Sequence, residues 1–402
     1  MIKKRWQNQK NLLRRILLAA ITLLFFAFLF FFNQIEKTEL VNTNGRTFEK
    51  AKVVEVVQDN LAEDGNRYGN QILKLEMLTG RLKGQTVNAT SDSGYLFGVA
   101  CRKGMRVIAI TSISGESNIT SVYSLDRQPV VYGFILLFLL LLSLIGGRNG
   151  FKSALALVFT FICIIFLYLP MIYKGFSPFL AAVVVAVLTT IASMYLIGGY
   201  TVKTLSAILG TIGGVIISGV FAAVFGYFAG ISGYNVSDIE SLLFVGQMTQ
   251  IQVGGLLFSG VLIATLGAVM DIGMSIASTI NEIHANNPSL TKKQLFTSGI
   301  NVGRDMIGTM SNTLILAFTG SSISVLILNY AYNLPYLQVI NAYSTGIEIM
   351  QGISGSLGVI LTVPLVSLIA SQLLPIKRGK AASDAALTED PQPTNDGGPE
   401  IA

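Results

Sequence analysis

Asp271 lies near the middle of the apolar run LIATLGAVMDIGMSIASTI, residues 262–280. A carboxylate at the centre of a membrane helix costs roughly 2.5–3.5 kcal/mol on insertion scales, so such a group is retained where it faces a protein interior or a wet cavity. Ion or proton transfer is the chemistry that suits this residue type in this place. Ser275, Ser278 and Glu282 follow at steps of four, three and four, which puts all four side chains broadly on one helical face. The competing reading is a neutral Asp271, hydrogen-bonded to a neighbouring helix and serving only packing.

A second polar set follows in LTKKQLFTSGINVGRDMIGTMSNTLILAFTG, residues 290–320. Ser289 or Thr291 is placed to cap a short amphipathic helix ending at Phe296, after which Arg304 and Asp305 open the next span. Thr309 and Asn312, four and seven residues beyond Asp305, continue a polar stripe, and Asn312 has the chemistry to hydrogen-bond Asp271. Arg304 alternatively does no more than mark the membrane boundary, and His284 is expected in a solvated loop. Glu348 adds an acid to the final span. The candidate ion or proton relay is therefore Asp271, Ser275, Ser278, Glu282, Asp305, Thr309 and Asn312.

Enzyme chemistry finds no set of residues to carry it. An intramembrane aspartyl protease needs two carboxylates sharing a proton, and a serine-based one needs a histidine within the bundle. This chain has one deep aspartate and one histidine. It contains no HExxH, Walker A or dinucleotide fingerprint. Cys101 stands in a polar segment and Cys163 in an apolar one, so neither a disulfide framework nor a zinc site is expected. No catalytic residue, metal or cofactor is predicted.

Composition supplies the setting. Hydrophobic residues make up 51% of the chain and charged ones only 12%, against roughly 25% charged in an ordinary soluble domain. That marks a polytopic membrane protein in contact with the lipid bilayer. The net charge of +6 sits in short connections beside apolar spans, which reads as membrane topology rather than as a nucleic-acid footprint. Apolar spans are read at residues 16–32, 130–147, 152–170, 177–199, 204–230, 254–279, 306–330 and 347–374, eight in all. Six Lys and Arg in MIKKRWQNQKNLLRR precede the first, and no small-residue cleavage pattern follows FFAFLFFF, so it is read as an anchor. Arg148/Lys152, Lys203, Lys292/Lys293/Arg304 and Lys377/Arg378/Lys380 fall on one side and only Lys174 on the other, which predicts cytoplasmic termini.

Four parts follow. Residues 1–33 form the basic amino terminus and first span. Residues 34–129 hold alternating stretches such as KAKVVEVVQ, QILKLEML, QTVNATS and MRVIAITSI, separated by DGN, TGRLKG and SGES, which predict four or five strands in a small extracytoplasmic β-barrel or sandwich, with an OB-like fold among those that fit. Residues 130–375 form a seven-helix membrane domain, and residues 376–402 a polar tail too poor in apolar surface to fold. Gly210, Gly213, Gly214, Gly219, Gly226 and Gly230, and Gly352, Gly355 and Gly358, have the spacing of close helix packing rather than of a hinge. ISGYNVSDIESLLFVGQMTQIQ, residues 231–252, is read as a short interfacial helix closing the bundle, with a lid over a substrate path as the alternative.

The segments GAVMDIGMSIASTINEI and GRDMIGTMSNTLILAF, placed after an anchored extracytoplasmic domain, resemble the YibE/F family of bacterial integral membrane proteins, over residues 130–375 for the membrane part. That resemblance implies a multi-pass protein of the bacterial plasma membrane, and leaves room for a family partner protein or a homo-oligomer. Gly267, Asp271, the 290–303 connector, Thr309, Asn312 and Thr313 are also similar in order and spacing to SecD-like and other RND membrane domains. In those transporters the intramembrane aspartate is associated with proton coupling, so the resemblance implies a relay role for Asp271. Eight spans, a small outer domain and the lack of a second repeat depart from that pattern. Two functions follow as expectations: an ion- or proton-coupled transporter or export permease, or a non-catalytic membrane scaffold or assembly factor that binds an extracellular partner through its β-domain.

Overall fold

The alternating segments between residues 45 and 125 close into a barrel in the computed structural model, which describes residues 16, 20–41, 45–92, 99–114, 117–236 and 238–386. Its strands are β1 (Arg46–Gln58), β2 (Asn70–Met77), β3 (Thr86–Asp92), β4 (Arg106–Ser114) and β5 (Ser117–Leu125). They are ordered β1-β2-β3-β5-β4, with β1 pairing to both β2 and β4. The β3–β5 pair is parallel, whereas the other four are antiparallel. Period-two patterning fixes the register, because a slip of one residue would turn every inward side chain outward. Ala51 and Val53, Leu73, Leu75 and Met77, Val107 and Ala109 are all buried on the inner face. Register shifts at Val53/Glu55 and Val56/Gln58 bend the long β1 so that it can serve two neighbours.

Gln71 is the polar exception inside this barrel. It is fully buried; its Oε1 accepts from the backbone N–H of Cys101 at 2.7 Å, and its Nε2 donates to Asp59 Oδ1 at 2.8 Å. One side chain thus satisfies the backbone N–H of Cys101 and ties that residue to the barrel.

The helical unit is built around apolar helices. Helix α1 (Ala20–Phe32) is followed by Asn33, whose Nδ2 donates to the carbonyl of Phe166 at 2.7 Å. Phe166 lies in a π-helical turn, Ile164–Tyr168, between α2 (Gln128–Cys163) and α3 (Leu169–Tyr173). Such a turn misaligns the backbone ladder, and Asn33 supplies a donor there. Lys174 adds a hydrogen bond to the Phe32 carbonyl at 2.9 Å while lying 3.7 Å from the centre of the Phe32 ring. Within α2, Gly147 leaves helical geometry at φ 55, ψ −136, at the end of the first of the two spans read there from the sequence.

Helices α4 (Pro178–Gly198), α5 (Val202–Ala229), α7 (Leu256–Asn286), α8 (Lys292–Ser321) and α11 (Tyr343–Ala386) form the bundle, with the short α6 (Ile239–Met248), α9 (Ile323–Ala331) and α10 (Tyr336–Ile340) between them. α5 packs most extensively on α11. The glycines explain how: a Cβ at Gly214 would meet Thr362 and Val269, one at Gly210 would meet Val366, and one at Gly358 would meet Ser218. Five helical runs are long and apolar enough to cross a membrane, Gln128–Tyr173, Pro178–Gly198, Val202–Ala229, Val253–Asn286 and Tyr343–Leu374, and α8 with α9 makes a sixth as a pair bent by 60°.

Several expectations are corrected. The short helix expected to end at Phe296 does not end there: Thr291 caps it in a reciprocal capping box with Gln294, and α8 then runs without interruption to Ser321. Ser289 bonds Asn287 instead of capping that helix. His284 is buried in the last turn of α7 rather than solvated, because α7 continues to Asn286. α11 continues to Ala386, so residues 376–386 of the expected tail are helical. The basic segment 1–15 and the tail from residue 387 onward lie outside the described residues.

Candidate functional site

Helical phase decides where Asp271 points. Val261, Leu262, Thr265, Leu266, Val269, Ile272, Gly273 and Ile276 form the buried side of α7. Leu262 lies beside Gly219, Val269 beside Gly214 and Thr211 beside Gly273, which sets that side against α5, with Thr265 reaching Gly355 of α11. Gly260, Ala264, Gly267 and Asp271 occupy the opposite edge, and all four are exposed. Nothing stands within 4 Å of where a Cβ on Gly260 or Gly267 would be. Asp271 therefore lies on the open edge of the bundle. Among the described residues it makes no hydrogen bond or ion pair, and the bond expected from Asn312 is not formed.

The register of α7 against α8 explains that missing bond. Gly299 lies against Ile280, while Thr265 and Leu314 meet at Gly355 of α11. In this antiparallel register Asp271 is level with Gly308, and Asn312 is about one turn away, level with Gly267. Ser275 and Ser278 are half-buried below Asp271, and Glu282 is exposed near the end of α7. Asp305, Thr309 and Asn312 are exposed on α8, where the Thr309 hydroxyl donates to the Asp305 carbonyl at 3.4 Å. The structure thus keeps Asp271, Ser275, Ser278 and Glu282 in one stripe and leaves the α8 groups on their own exposed face.

A second polar locus surrounds the α8–α9 break. There a cavity of about 780 Å³ is lined by residues of α7, α8, α9, α11 and the segment around α6, among them Leu242, Thr319, Ser322 and Glu348. Ser322 is only 9% exposed, and its hydroxyl has no hydrogen-bond partner among the described residues. One carboxylate oxygen of Glu348, Oε2, is buried and likewise unpartnered. Interrupted helices at membrane depth are tolerated where they line a cavity or are enclosed by protein. The sequence signal was the TGSS cluster at 319–322, inside an otherwise apolar span. Sequence reasoning took 306–330 as one uninterrupted helix and so passed over Ser322.

Helices of this length and apolarity, in one chain with a small β-barrel, define a polytopic helical membrane protein. The chain belongs to the YibE/F-like protein family, whose model matches residues 134–376. No curated protein and no solved structure matches it.

Proposed function

We propose that this protein is an ion- or proton-coupled transporter or export permease in which Asp271 is the ionisable relay group, with Ser275, Ser278 and Glu282 continuing the path along α7. The observation that carries this reading is that Asp271, midway along a membrane-length helix, has no hydrogen bond or ion pair among the described residues. A carboxyl retained only to clamp two helices of this chain would have a partner in it. Asp305, Thr309 and Asn312 supply further polar groups on the neighbouring α8. Gly260, Ala264 and Gly267 make the same edge of α7 narrow enough for a family partner or a second copy to pack there.

The proposed setting is a bacterial plasma membrane, with both termini cytoplasmic and the barrel extracytoplasmic, as the Lys and Arg asymmetry supports. Eight crossings fit this arrangement: Gln128–Tyr173 is 46 residues long, about twice the hydrocarbon thickness if straight, and Gly147 divides it. The barrel is proposed as OB-type, on the strength of five strands closed in the order β1-β2-β3-β5-β4.

Asp271→Asn is the direct test, since it is nearly isosteric and cannot ionise. Lost ion movement in a normally folded variant supports the relay, whereas loss of the folded protein favours packing. A second reading, a membrane scaffold or assembly factor, draws support from Phe48 and Tyr123. These exposed aromatics stack edge-on at 5.3 Å on the barrel surface, a composition suited to binding a protein partner.

A further inference from the structure

The cavity at the α8–α9 break carries an electrostatic asymmetry. Among the described lining residues Glu348 is the only acid, and none is Lys, Arg or His. Its Oε2 is buried without a hydrogen bond, as is the Ser322 hydroxyl. A half-buried carboxylate with no counter-charge beside it and one buried oxygen lacking a donor is costly, and a cation bearing N–H groups would remove both deficits. The rest of the wall is mostly apolar, including Leu257, Ile315, Val325 and Ile353. Hard metal ions take several oxygen ligands, often more than one carboxylate, so this wall suits an organic body better. A volume of about 780 Å³ lies within the range of cavities that enclose molecules of drug size.

We propose that this cavity binds an amphipathic organic amine, its ammonium held by Glu348 and Ser322 and its apolar body lying against α7, α8, α9 and α11. The ammonium has two sources, the headgroup of an aminolipid and a free amphiphilic amine, and both present the same donors. Binding at equilibrium does not require transport, so this inference stands apart from the role of Asp271.

The test uses the full-length protein in phosphatidylcholine nanodiscs, titrated with dansylcadaverine, a fluorescent primary amine, with empty nanodiscs subtracted. Saturable binding is expected, with N-acetyl-dansylcadaverine, which keeps the body and loses the charge, weaker by roughly tenfold or more. Glu348→Gln is expected to weaken the amine by a similar factor. Glu348→Asp keeps the charge and is expected to bind within a few-fold of wild type, so the test survives if the Gln variant fails to fold. Nanodiscs containing phosphatidylethanolamine separate the sources: reduced probe affinity assigns the lipid headgroup, and unchanged affinity assigns a free amine. Equal binding of the acetylated probe, equal binding by a folded Glu348→Gln protein, or no saturable binding of the amine would overturn the proposal.

Discussion

Gly214 of α5 lies so close to Thr362 of α11 that one added methyl group would overlap the threonine hydroxyl. Overfilling a packed interior typically costs about 1–3 kcal/mol. Gly214→Ala should therefore lower the melting temperature of the detergent-solubilised protein. Gly267→Ala, on the open edge of α7 where nothing stands within 4 Å, should be neutral or stabilise by up to about 1 kcal/mol through helix propensity. Equal losses at both positions would contradict the phase assigned to α7.

That contrast also marks where sequence reasoning stopped. Small residues at helical spacing showed that helices pack closely, but Gly214 and Gly267 carry the same signal, and only the placement of neighbours distinguishes them. The same holds for Asp271. Its spacing to Ser275, Ser278 and Glu282 put them on one face, while nothing local told which of the other helices, or none, that face would meet. The barrel was more legible, because strand alternation specifies inward and outward residues directly: Val53, Leu73, Leu75 and Val107 are all fully buried. The bend after Ser321 was passed over because the apolar stretches 314–318 and 325–328 on either side of TGSS read together as one span.

Gln71 provides a test of the barrel. Replacing it with Leu keeps the approximate volume but leaves the Cys101 N–H without the acceptor at 2.7 Å. A buried donor left unsatisfied costs about 1–3 kcal/mol. Cys101 is buried, and burial raises its thiol above the usual range, so its modification reports barrel opening. In a Cys163→Ala background, Gln71→Leu should accelerate labelling of Cys101 by a thiol-reactive disulfide; an unchanged rate would show that Gln71 does not hold the 99–102 segment.

Acid should loosen the same barrel. Asp59 is held below the usual carboxylate range, first by its hydrogen bond from Arg67 and then by that from Gln71, and Glu55 is lowered by Lys74 in the same manner. Asp64 is lowered chiefly by the backbone N–H of Asn66. Depressed carboxylates contribute stability that is present above their unfolded values and lost as pH falls through the folded ones. Cys101 labelling by dithiodipyridine, normalised to unfolded protein, should therefore quicken as pH drops below the ordinary Asp value of 3.8. Asp59→Asn should flatten that dependence, and an unaltered profile would remove Asp59 from the account.

The central claim is that Asp271 ionises in the course of ion or proton movement. The direct measurement compares wild-type protein with Asp271→Asn in proteoliposomes under an imposed pH gradient, following a trapped pH-sensitive dye. The account predicts proton flux in the wild type and its loss in a variant that is equally abundant and equally stable. Equal flux in both proteins would contradict it.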